Sequence, residues 1–132
     1  MNNIIAEYIG DDQVKLTHTL SGTNINTDLP PDNKGKGRTF SPTDLLVSSL
    51  GSCILLTMVL AAKRDNKEVT GISITLLKHM SDNPRRISLI DGTITFPPNF
   101  SNEEREKYMH YIKACPVHHS LNPSLVIDIK PV

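Results

Sequence analysis

Hydrophobic positions change period along the chain, and each change marks an element. Over residues 3–28, Val14, Leu16 and His18 alternate with Gln13, Lys15 and Thr17, while Gly10-Asp11-Asp12 and Ser21-Gly22 supply turn residues. This pattern predicts an antiparallel meander of short strands. Residues 29–40, LPPDNKGKGRTF, carry two prolines, two glycines and several charges without periodicity, which suits a loop. Ser41-Pro42-Thr43-Asp44 then reads as a helix start: Ser41 caps, Pro42 takes the first helical position, and the acid faces the positive end of the helix dipole. The helix runs from 42 to about 65, closing on Lys63-Arg64-Asp65-Asn66, where cations suit the negative dipole end and asparagine terminates.

Two longer strands follow, VTGISITLLKHM (69–80) and RISLIDGTITFPP (86–98), joined by the turn Ser81-Asp82-Asn83-Pro84. Ser101 caps a second helix, with Glu103, Glu104 and Glu106 near its start, extending to about Ala114 before Pro116 stops it. SLVIDIK forms a last strand. With no internal repeat or interdomain linker, the 132 residues are expected to form one α+β domain, long enough to bury one core and too short for two.

The first helix changes the picture, because residues 45–62, LLVSSLGSCILLTMVLAA, contain no charge at all. An uncharged run of that length reaches the lower edge of a membrane span. Ser48, Ser49, Gly51, Ser52 and Thr57 lower its hydrophobicity, and the surrounding sequence is rich in strands, so a buried helix in a soluble protein is expected. A helix apolar nearly all round needs cover on most faces, which favours a homodimer. The small residues Ser48, Ser49, Gly51 and Ser52 would let another backbone approach.

Charge narrows the partners. Lysine plus arginine and aspartate plus glutamate stand at 14 each, so no field of one sign is available to hold nucleic acid or an anionic membrane. The opening MNNIIAEYIG has no basic segment followed by an apolar run, and a cytoplasmic protein is expected. Two cysteines, Cys53 and Cys115, are too few for a disulfide framework. In a reducing compartment such a pair is catalytic, metal-binding or simply buried as small hydrophobes. Spacing alone does not bring them together.

The neighbouring motifs favour chemistry. Residues 41–53, S-P-T-D-L-L-V-S-S-L-G-S-C, resemble the helix-opening motif of OsmC/Ohr proteins, in which an Asn/Ser-Pro start leads to a cysteine twelve residues on. Cys115-Pro116-Val117 resembles that family's Cys-Pro segment near the end of the second long helix, and the element order agrees. The resemblance covers most of the chain. It implies an intertwined homodimer in which long central helices pack against two β-sheet units, with active sites at the subunit interface. It also implies that Cys53 is a peroxidatic thiol, oxidised by an organic hydroperoxide to a sulfenic acid and resolved by Cys115 as a disulfide. An external dithiol would then reduce that disulfide, a task that a lipoylated protein performs for some family members, and no cofactor is implied.

The match has departures. Cys53 lies about three turns into its helix and Cys115 is expected near a helix C-terminus, so neither gains from a helix dipole. In the peroxidase branches a glutamate directly after the motif proline holds an arginine over the thiolate, and here that position is Thr43. Asp44, the next residue, is the candidate substitute for that glutamate, although it is shorter and points about 100° further round the helix. Arg38, the arginine ahead of the helix, is the candidate to approach Cys53, with a solvated loop charge as the plainer reading, and Lys36 shares that ambiguity.

Three other readings stay open. His118 and His119 follow Cys115 closely and with both cysteines could form a Cys2His2 zinc site, although Cys53 has no ligand neighbour within its own turn. Gly35-Lys36-Gly37-Arg38-Thr39 is superficially similar to a phosphate loop but lacks the full glycine spacing. Finally, Thr43 favours a non-catalytic relative that binds a small apolar ligand or senses redox state.

Overall fold

In the computed structural model, which describes residues 2–132, the elements run β1 (Ile4–Gly10), β2 (Gln13–His18), β3 (Asn24–Asp28), α1 (Pro42–Arg64), β4 (Ser73–Ser81), β5 (Arg86–Thr95), α2 (Asn102–Met109), α3 (Pro116–Ser120) and β6 (Val126–Pro131). Short 3-10 turns occupy Pro31–Asn33 and His110–Ala114. The chain forms two compact units, residues 1–46 and 47–132. Two separate sheets plus helices make the fold α+β, as expected.

In the N-terminal unit β1, β2 and β3 pair antiparallel in sequence order, the predicted meander. Asp11 and Asp12, at φ 53° and 63°, sit between the paired residues Gly10 and Gln13. Both central residues are thus left-handed, as a two-residue hairpin requires, and aspartate tolerates that region better than most side chains. The loop 29–40 folds back on the meander: Asp28 N–H donates to Phe40 O (2.9 Å) and Leu29 N–H to Asp12 O (3.1 Å). Gly35 is required there, because a Cβ would lie 2.0 Å from Leu29 O.

In the C-terminal unit β5 is the central strand, antiparallel to β4 and parallel to β6. Parallel pairing needs a long crossover, which α2, the 3-10 turn and α3 supply. The strand expected from 69 begins at Ser73, because Val69–Ile72 form a turn, with Ile72 N–H on Val69 O (3.0 Å) and Gly71 at φ 96°. The core joins Leu50, Ile54 and Met58 of α1 to Ile90 and Ile94 of β5, all fully buried. Gly51 faces β4, where a Cβ would meet Leu76 Cδ1 at 3.1 Å, so its smallness serves packing within this chain.

Both ends of α1 are closed as the sequence indicated. At its start Asp44 N–H donates to Ser41 Oγ (3.1 Å) and Ser41 N–H to Asp44 Oδ2 (3.0 Å), a reciprocal cap. At its end Asn66 takes φ 52°, Lys67 N–H reaches Ala62 O (2.8 Å) and Asn66 N–H reaches Lys63 O (3.4 Å), a Schellman closure. The second predicted helix is divided. α2 opens on a capping box of Ser101 and Glu104, but the chain tightens at His110 into 3-10 geometry, and Pro116 starts a new helix. Tyr108, buried and hydrogen-bonded to Asp65 Oδ2 (2.8 Å), ties α2 to the end of α1.

Candidate functional site

Cys53 and Cys115 meet. Cys53 projects from α1 three turns after its start, between the buried Leu50 and Ile54, and is itself half-buried. Cys115 is fully buried, and its side chain lies against that of Cys53. Both thiols are free. Two restraints fix this encounter: α1 holds Cys53 against the sheet, and the Tyr108–Asp65 bond sets where the chain after α2 delivers Cys115.

The surroundings differ at the two sulfurs. Burial pushes the Cys115 thiol up, and the neighbouring Cys53 adds to this. The opposing influence is backbone: His118 N–H donates to Cys115 Sγ at 3.3 Å. Cys115 was expected at a helix C-terminus, without dipole support. The structure corrects this, because Cys115 is the N-cap of α3, Pro116 takes the first helical position, and the sulfur accepts an amide of the first turn. On α1, Thr57 Oγ1 donates to the carbonyl of Cys53 (2.8 Å), which occupies the hydroxyl within the helix.

The expected charged residues belong to the N-terminal unit, where both are firmly held. Arg38 Nε and Nη2 donate to Asp28 Oδ2 (2.8 Å) and Oδ1 (3.1 Å), its backbone N–H adds a bond to Oδ2 (2.8 Å), and Nη1 donates to Asp11 Oδ2 (2.6 Å). Asp28 has no exposed side chain, yet the Arg38 guanidinium holds its pKa down at about 2. Arg38 is pushed further above its ordinary range by the same bonds. Lys36 pairs with Asp11 at 3.0 Å. Asp44 closes the α1 cap, and Thr43 Oγ1 lies 3.2 Å from Ser41 Oγ. Asp28 escaped the sequence reading because only the strand register places it opposite a loop residue ten positions on.

His118 is half-buried and His119 exposed, with ring centroids 6.2 Å apart. Among the described residues no three His, Cys, Asp or Glu side chains converge as metal ligands, so the four residues weighed as a Cys2His2 set do not assemble. α1 is long and apolar enough to cross a membrane by length and composition, but seven of its residues are buried in the fold.

Comparison with known proteins gives this arrangement its context. Residues 35–130 match the profile of the OsmC-like protein family. An osmotic stress induced and detoxification response protein from Psychrobacter arcticus is 32% identical and superposes with a TM-score of 0.94, over 100% of this chain and 96% of that one. An OsmC-like protein from Mycoplasma pneumoniae has 21% identity and a TM-score of 0.83, with coverage of 100% and 96%. An organic hydroperoxide resistance protein OsmC from Legionella pneumophila has 14% identity and a TM-score of 0.79, covering 99% of this chain and 96% of its own. No curated protein matches the chain in sequence. Superposition over nearly the whole chain makes α1 the core helix of this shared fold. With its thiol pair, its element order and a profile match across most of its length, this chain belongs to the OsmC-like family.

Proposed function

We propose that the protein is a cysteine-based thiol peroxidase for organic hydroperoxides, acting as a cytoplasmic homodimer. The observation that carries this reading is the contact between a half-buried Cys53 and a fully buried Cys115. The thiol that peroxide can reach and the thiol that keeps its proton are different residues, which divides the labour a two-cysteine cycle needs. Neighbours named for organic hydroperoxide resistance support the substrate class.

In the first step the Cys53 thiolate attacks one peroxide oxygen and breaks the O–O bond. The leaving alkoxide takes a proton and departs as an alcohol, and Cys53 becomes a sulfenic acid, oxidised by two electrons. The Cys115 sulfur then attacks Cys53, the S–O bond breaks, and water leaves as the disulfide forms. A dithiol returns two electrons and two protons and leaves as its own disulfide. No metal or organic cofactor enters the cycle. In this reading Arg38, fixed by Asp28 and Asp11, is the cation that serves the Cys53 thiolate, and Asp44 takes the place of the family's glutamate while also closing the helix cap.

The test is consumption of cumene hydroperoxide by the reduced protein with dihydrolipoamide, beside Cys53→Ser, while mass spectrometry follows the disulfide. Catalytic turnover that vanishes in Cys53→Ser, with a Cys53–Cys115 disulfide formed on oxidation, is the expected result. One observation favours a second reading: Thr43 replaces the glutamate, and Asp44 is engaged in the helix cap. Stoichiometric disulfide formation without turnover would identify a redox sensor, and unreactive thiols would leave a small-molecule binding role.

A further inference from the structure

In the C-terminal unit a cavity of about 280 Å³ opens between the segment after α2 and strand β6. Ile112, Ile127 and Ile129 line it together with His110, Lys113 and His118. Asp128 is the acid on the lining, and its carboxylate is answered by Lys130 at 3.6 Å. Lys113 pairs with no carboxylate among the described residues, so its positive charge at this cavity is uncommitted.

A hollow whose wall is polar and apolar in nearly equal parts suits a small amphiphile, and this volume lies just under the common range for small-ligand sites. The apolar part of that wall asks for hydrocarbon, and the uncommitted lysine with two imidazoles asks for an anion. We propose that this cavity binds a medium-chain aliphatic carboxylate, with its tail on Ile112, Ile127 and Ile129 and its head group at Lys113. The site is tied to the redox pair through one residue. His118 lines the cavity, and its backbone N–H donates to Cys115 Sγ. A ligand that moves or stiffens His118 therefore changes the support of the buried thiol. The binding itself requires no peroxidase activity and stands or falls separately from it.

Titration of octanoate into the reduced, 15N-labelled protein tests this. Saturable shifts are expected at the amides of Lys113, His118 and Ile127–Ile129, with a dissociation constant on the order of 1 mM, as about ten non-hydrogen atoms allow. Lys113→Glu should weaken octanoate about tenfold, since an attraction becomes a repulsion, and its amide spectrum reports whether the fold survives. Octylammonium, with the same chain and the opposite head, should bind the wild type poorly and the variant better. Equal binding of both heads to the wild type, indifference to Lys113→Glu, or shifts confined to other elements would overturn the proposal.

Discussion

At the scale of single residues, the two cysteines owe their different behaviour to different cover. Cys115 is enclosed, held by an amide and pushed toward its protonated form by burial, whereas Cys53 keeps a path to solvent. Under the proposed cycle Cys115→Ser should still consume one equivalent of hydroperoxide and stop at a Cys53 sulfenic acid, captured by dimedone and read as a mass increase. Turnover with a dithiol should fall at least about tenfold, because the slower direct route replaces resolution. Retention of full turnover would show that Cys115 does not resolve. A different chemistry governs Asp28. Its pKa is held at about 2 in the folded protein against 3.8 for the free side chain, so its contribution is complete above about pH 4 and is lost as pH falls toward 2. Asp28→Asn should therefore be less stable than wild type by a constant margin from pH 5 to 8, and the margin should shrink between pH 4 and 2. Urea unfolding at a series of pH values checks this, and an unchanged margin at pH 3 would mean that the ionised pair with Arg38 is not what matters. Of this residue-level picture the sequence revealed Cys53, Cys115 and the cap at Ser41, since each sits in a local motif. It hid the Asp28–Arg38 pair and the meeting of the thiols, which depend on register and on how the crossover returns.

At the scale of elements, the long helix was legible from end to end, because its cap, its uncharged run and its asparagine stop are all local features. The region after α2 was not. Pro116 reads equally well as the end of one helix or the first residue of another, and what decides is Cys115 acting as N-cap, a role its sulfur fills by accepting His118 N–H. Parallel pairing of β5 with β6 was equally hidden, as strand direction lives in the crossover and not in the strand. Energetics at this scale can be checked by two substitutions. Leu50→Ala empties a fully buried position between α1 and the sheet and should cost about 3 kcal/mol of unfolding free energy by denaturant titration. Ser101→Ala removes one half of the α2 capping box and should cost about 1 kcal/mol. A smaller loss for Leu50→Ala than for Ser101→Ala would contradict the placement of the core on that face of α1.

At the scale of the whole molecule, the open question is what covers the rest of α1. One face is buried, but Leu56 and Leu60 are 60% and 64% exposed, and Ser48, Ser49 and Ser52 beside them are exposed too. Large aliphatic side chains four residues apart on an uncharged helix are costly to leave in water, at about 25 cal/mol for each Å² of apolar surface. A twofold-symmetric partner presenting the same helix would cover this face with its own, the small serines allowing close approach. Half-buried Cys53 lies four residues after Ser49 and three before Leu56, on the side of the helix they share, so the same pairing would shield the thiol and lend the surroundings of the peroxide an apolar character. The homodimer is therefore predicted to depend on Leu56 and Leu60. Leu56→Glu combined with Leu60→Glu places two charges on each copy at the contact, and sedimentation velocity should show a dimer for the wild type and a monomer for the variant. Because neither leucine belongs to the buried core, the variant should keep its helical content by circular dichroism. A folded variant that still sediments as a dimer would move the contact to another face and would remove the argument that association completes the surroundings of Cys53.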